Sequence, residues 1–111
     1  MSGAAAVAEE RKYLGVPYIY GGASPSGFDC SGLVQYWYKK VGITLPRTAG
    51  QMIKCGKSVS QANLQIGDLV FPSAGHVGLY IGNDRIIHSP KVGDVVKESN
   101  IWAFYAGRRV A

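Results

Sequence analysis

The sequence predicts an α+β fold, with helices in the first part of the chain and an antiparallel sheet in the second. Apolar residues Leu33, Val34, Trp37, Tyr38 and Val41 recur at three- and four-residue steps, the period of a helix. From Gly67-Asp68 onward the character changes. Leu69-Val70-Phe71, His76 to Ile81, Arg85 to Ser89 and Phe104 to Val110 are rich in β-branched and aromatic residues, punctuated by Gly, Asn, Asp and Pro. Such a meander packs on the central helix. At 111 residues the chain reads as one domain, 1–111, large enough for a single core and too small for two.

In chain order, Ser2 to Leu14 is expected to be helical. It is Ala-rich, exposes Glu9, Glu10, Arg11 and Lys12, packs through Tyr13 and Leu14, and ends at Gly15 and Pro17. Pro17 to Gly22 is extended, so Tyr18 and Tyr20 share a side. Gly21, Gly22, Ser24, Pro25, Ser26 and Gly27 are turn-formers that should extend neither strand nor helix. Asp29 then caps the central helix, which stops at Gly42. Thr44 to Arg47 is a connector, Thr48 caps a short helix through Lys54, and Gly56 ends it. Val95-Val96 adds a further short strand.

The net charge of +5 favours an anionic partner, and nucleic acid, an anionic membrane and a polyanionic cell wall all qualify. Lys39-Lys40, Lys54 with Lys57, and Arg108-Arg109 are short pairs at element ends rather than the long basic stripe of a specific nucleic-acid binder. No apolar run approaches the roughly 20 residues a bilayer requires. Met1 to Ala8 lacks the basic start and long apolar middle of a secretory signal. Only Cys30 and Cys55 could form a disulfide, and both are expected to be free thiols.

The chemistry concentrates at Phe28-Asp29-Cys30-Ser31-Gly32-Leu33-Val34, where the glycine-rich loop becomes the helix. Cys30 falls in the first turn, where unpaired amides and the helix dipole favour the nucleophilic thiolate. Ser31 and Gly32 keep its surroundings small. A free Cys is more commonly a buried structural residue, and a thiol needs a base before it is a catalyst.

Both histidines of the chain fall in neighbouring strands of one predicted hairpin. A two-residue turn at Asn83-Asp84 puts them on opposite faces. A three-residue loop, Gly82-Asn83-Asp84, pairs Ile81 with Arg85 and Gly78 with His88, which places both rings on one face. The second register also sends Val77, Leu79, Ile81 and Ile87 together into the core. It leaves Gly78 as a gap where the helix bearing Cys30 could approach. A lone strand histidine is usually only a half-buried hydrogen-bonding residue. Two on one face beside Cys30 supply nucleophile, base and orienter, with His76 as the base and His88 fixing its ring. A rival reading makes Cys30, His76 and His88 zinc ligands, although the usual close ligand spacing is absent.

Pro17-Tyr18-Ile19-Tyr20-Gly21-Gly22, the Cys30 block, Leu45-Pro46-Arg47-Thr48, Gly67-Asp68-Leu69-Val70-Phe71, His76 to Gly82 and Ile87-His88-Ser89-Pro90 together resemble the NlpC family (NlpC and p-sixty) of bacterial cell-wall cysteine peptidases. The resemblance spans nearly the whole chain. It implies a papain-like α+β fold and a peptidoglycan hydrolase, an endopeptidase cutting the stem peptide between γ-D-glutamyl and the diamino acid, diaminopimelate or lysine. By the same resemblance Cys30 is the nucleophile, His76 the base and His88 the third polar residue. Tyr18 matches a tyrosine of the oxyanion and substrate site, and Asp29 and Ser31 match positions that hold the free amine of the first alanine. No metal or organic cofactor is required. The expected partner is the stem peptide at the extracytoplasmic wall, met by a monomer or by one domain of a larger phage, conjugation-element or autolytic hydrolase. The competing functions are an amidase that cuts sugar from peptide and a catalytically silent wall-binding module. Cys55 has no partner set and is treated as incidental.

Overall fold

The computed structural model describes residues 8–111, so residues 2–7 of the expected first helix lie outside the described part. Residues 8–11 are helical and are followed by a turn through Gly15, whose φ of 87° suits glycine. The face that this segment buries differs from expectation. Glu10 is 1% exposed and packs inward with Tyr13, whereas Leu14 is exposed. Helical spacing explains this: Glu10 and Tyr13 lie three residues apart on one face.

The extended Pro17-Tyr18 pair follows, bridged to Val95 and Phe28. Contrary to the sequence reading, the glycine-rich loop contains a small hairpin, β1 (Ala23–Ser24) with β2 (Gly27–Phe28). Pro25-Ser26 makes its turn, so the turn-formers sit between two short strands instead of replacing them. Helix α1 (Cys30–Lys40) begins at its Asp29 cap, whose carboxylate accepts the Gly32 amide at 2.6 Å. It ends before Gly42, at φ 88°. Thr48 and Gln51 form a reciprocal capping box on α2 (Ala49–Met52), a shorter helix than the expected run to Lys54.

Six antiparallel strands make the main sheet: β3 (Lys57–Ser58), β4 (Leu69–Ser73), β5 (His76–Gly82), β6 (Arg85–His88), β7 (Lys97–Asn100) and β8 (Ala106–Arg109). Their order is β3-β8-β4-β5-β6-β7. Val95-Val96 is not a strand; the pairing begins one residue later, in the polar run Lys97-Glu98-Ser99-Asn100, which lacks the composition that marks strands. β8 is shorter than expected, because Tyr105 is exposed and only Ala106 onward joins the ladder. The apolar face of α1, Leu33, Val34, Trp37 and Tyr38, forms one core with Phe71, Val77, Leu79 and Ile87 of the sheet. Burying each large side chain there contributes about 1.5–3 kcal/mol. Asp68 is buried at the start of β4 and held by a bidentate contact with Arg109 at 2.8 and 3.0 Å, which ties the sheet's middle to its last strand. Among the described residues, no helix is long and apolar enough to cross a membrane.

The β5–β6 hairpin joins elements of both sequence alternatives. Its turn is the two-residue Asn83-Asp84, both with positive φ, and Gly82 pairs with Arg85. An irregularity between Tyr80 and Gly82 then shifts the register, so Tyr80 pairs with Ile86 and Leu79 with Ile87. This is the register the three-residue loop predicted for the strands, reached through a bulge.

Candidate active site

Cys30 opens α1 and is half-buried, lining a hollow with Tyr18, Tyr20, Asp29, Ser31 and Arg47. Its Sγ lies 3.9 Å from the carbonyl oxygen of Gly75. The Val77 amide also faces the sulfur. The thiol therefore rests on the backbone that carries His76, at the start of β5. A tight turn after the β4 irregularity, with Ser73 paired to His76, sets that strand start in place. The expected approach of the helix over Gly78 does not occur. A side chain at Gly78 would meet the Ile87 carbonyl at 3.0 Å and His88 Cβ at 3.1 Å, so the glycine makes room for His88 while α1 packs on the opposite face.

The imidazoles face each other, His76 Nε2 to His88 Nδ1 at 2.8 Å, and Ser99 Oγ lies 3.0 Å from His88 Nε2. Three of the four ring nitrogens are thus engaged, leaving His76 Nδ1 outside the row. If His76 becomes doubly protonated, its Nε2–H must donate to His88 Nδ1, and His88 then carries its own proton on Nε2 and donates it to Ser99. Trp102 covers the pair, its ring centroid 5.2 Å from that of His88 and 6.0 Å from that of His76. Among the described residues, no three His, Cys, Asp or Glu side chains converge as a metal site would require, so the zinc alternative gains no ligand set.

Burial pushes the Cys30 thiol up, and the Asp29 charge adds to it, while the amides of Val77, Ser31 and Cys30 pull it down. Burial holds His76 below its ordinary value, and burial followed by the neighbouring His76 charge brings His88 down to about 4. The helix start is expected to favour thiolate; here desolvation outweighs the amides, and burial favours an uncharged thiol and uncharged imidazoles at rest.

Asp29 does more than cap. Arg47 grips it bidentately at 2.8 and 3.0 Å and also reaches Ser31 Oγ at 3.0 Å and the Gly22 carbonyl at 3.3 Å. Gly21 donates its amide at 3.2 Å to Asp29 Oδ2, the oxygen that Arg47 Nη2 also contacts. Loop, helix start and connector are thereby fastened around the hollow. Tyr18 lines the same hollow, and its hydroxyl is pushed up by burial and then by the Cys30 charge. The sequence places Arg47 in a connector and in the Leu45-Pro46-Arg47-Thr48 block, with no site role assigned to it. Two buried or half-buried hydroxyls were also missed: Ser99, and Ser89, which donates to the Phe28 carbonyl at 2.6 Å and joins the end of β6 to the nucleophile loop. The sequence offers one signal for Ser89, its place in the Ile87-His88-Ser89-Pro90 block, and none for Ser99. Both cysteines are free thiols, and Cys55 Sγ lies 3.7 Å from the Gln51 carbonyl oxygen.

Fold and site together define an α+β protein with a free cysteine at a helix start and two hydrogen-bonded histidines on the neighbouring hairpin. The chain belongs to the NlpC/P60 family, whose pattern matches residues 15–110. It is 41% identical over 92 residues to a gamma-D-glutamyl-L-lysine dipeptidyl-peptidase of Bacillus subtilis, covering 77% of this chain and 31% of that protein. It is 46% identical over 93 residues to the bifunctional muramidase/DL-endopeptidase CwlT of the same organism, covering 77% of this chain and 28% of that protein. The chain thus spans about three-tenths of the length of these relatives. Among solved structures, the NlpC/p60 domain of the peptidoglycan hydrolase SagA superposes with a TM-score of 0.91 at 35% identity, covering 99% of this chain and all of that one.

Proposed function

We propose that residues 1–111 form one catalytic domain, a cysteine endopeptidase that cleaves peptidoglycan stem peptides between γ-D-glutamyl and the diamino acid. The observation that carries this reading is the row Ser99–His88–His76 together with a half-buried thiol at a helix start, whose sulfur lies 3.9 Å from the carbonyl of Gly75, the residue before His76. Family membership and the printed activities of the relatives support the substrate class.

In the proposed reaction His76 Nδ1 takes the Cys30 proton as the sulfur attacks the γ-glutamyl carbonyl carbon. The resulting imidazolium is stabilised through Nε2–H to His88, which passes the polarisation to Ser99. The Cys30 amide and the Tyr18 hydroxyl serve as donors to the oxyanion. The C–N bond then breaks, His76 returns its proton to the departing amine, and a thioester remains on Cys30. Water, deprotonated by His76, attacks the thioester and releases the carboxylate and the free thiol. Asp29 and Ser31, held by Arg47, line the acyl side and bind the amine of the first alanine. No step calls for a metal or an organic cofactor, and the site of action is the cell wall.

Digestion of purified peptidoglycan with product masses read by mass spectrometry tests this. The wild-type chain should release fragments with a new N-terminal diamino acid, and Cys30→Ala should lower turnover at least about a thousandfold without changing the circular dichroism spectrum. Freed lactyl groups in the products, or turnover that survives Cys30→Ala, would overturn the assignment.

A further inference from the structure

A second hollow, of 660 Å³, adjoins the first at Gly75 but lies against His76 and His88 instead of Cys30. Its size falls in the range of small-molecule sites, roughly 300–1,000 Å³. Trp102 forms one wall, and Lys91, Asp94 and Lys97 supply charge. Asp94 pairs with Lys97 at 2.8 Å. Among the described residues Lys91 has no carboxylate within ion-pair distance, so the hollow carries one uncompensated cation.

Resting on the peptidase reading above, we infer that this hollow receives the departing diamino acid and selects one whose side chain ends in a carboxylate, that is, diaminopimelate over lysine. The direction follows from the chemistry. The leaving nitrogen must reach the imidazole that protonates it, so the amine half of the substrate lies on the histidine side and the acyl half on the cysteine side. The selection follows from the charges. A lysine side chain ends in an ammonium alone, which meets two cations and one already paired carboxylate. Diaminopimelate adds a carboxylate on its terminal carbon, and that carboxylate can meet Lys91, whose charge nothing in the hollow offsets. The apolar stem of either side chain rests against Trp102.

Three L-alanyl-γ-D-glutamyl tripeptides separate the terms: one ending in lysine amide, one in diaminopimelate amidated only at its α-carboxyl, and one in diaminopimelate amidated at both carboxyls. The peptide with the free side-chain carboxylate should show a kcat/KM about threefold to fivefold above both others, the gain expected of one exposed ion pair. Lys91→Gln should bring the three values together, and Lys91→Glu should place the lysine peptide first. Equal cleavage of all three by the wild type, or an unchanged ratio in both variants, overturns the subsite and leaves the peptidase reading intact. If the intact chain cuts none of them, the peptidase reading fails and the subsite falls with it.

Discussion

The hydroxyl of Ser99 stands at the outer end of a row running through His88 to His76. Its part in the proposed reaction is indirect: it accepts from His88 when His76 carries the charge, so it is a positioning residue. Ser99→Ala should lower kcat about threefold to tenfold with little change in KM, the cost of one hydrogen bond in a charge-assisted chain. Nitrogen-15 shifts of His88 should show a mixed tautomer in this variant and a single one in Ser99→Thr; identical spectra for wild type and Ser99→Ala would remove the role. The places of Cys30 at a helix start and of His76 and His88 on paired strands were legible in the sequence, because reactive side-chain types are few in this chain. Arg47, Ser89 and Ser99 were not. Each is a common residue whose task depends on a partner 18, 61 or 11 positions away, and spacing alone does not reveal such partners.

At the level of elements, the start of α1 is fixed by close backbone approach as much as by its cap. The sequence reads Gly32 as keeping the surroundings of Cys30 small, yet a Cβ there would fall on the Gly22 carbonyl oxygen and within 2.9 Å of the capping Asp29 oxygen. The missing side chain lets the loop lie against the helix, so the glycine serves packing. Gly32→Ala should therefore destabilise the fold by about 1–3 kcal/mol, seen as a lower urea midpoint with unchanged slope. A midpoint equal to wild type would mean that the loop relaxes freely. Helix α1 and strands β4 to β6 were legible because their apolar periods are strong. The hairpin β1–β2 and strand β7 were hidden, since two-residue strands leave no period to detect and the polar run of β7 is held in the ladder by its neighbour β6.

Across the whole molecule, the buried Glu10 carboxyl works against stability at high pH. Burial, then the Glu98 charge, raises it from 4.5 to about 8, with Arg11 opposing, and neither oxygen has a hydrogen-bond partner among the described residues. The folded state thus holds a proton that the unfolded chain releases above about pH 4.5. Stability falls as pH rises from there and levels off near 8. Glu10→Gln should be neutral at pH 4 and stabilising by on the order of 2 kcal/mol at pH 8.5, read by thermal unfolding at both values. An equal effect at the two pH values would show that the carboxyl is not the cause. The α+β layout and the order of helices before sheet were readable at this scale, whereas the inward turn of Glu10 was not, because a charged quartet in sequence looks uniformly solvated. The Ser89 hydroxyl on the Phe28 carbonyl has a mechanical meaning. It rivets the hairpin that bears the imidazoles to the segment that presents the sulfur, so any sway of one is shared by the other, and in the proposed reaction the gap the proton crosses would keep its width while the molecule breathes.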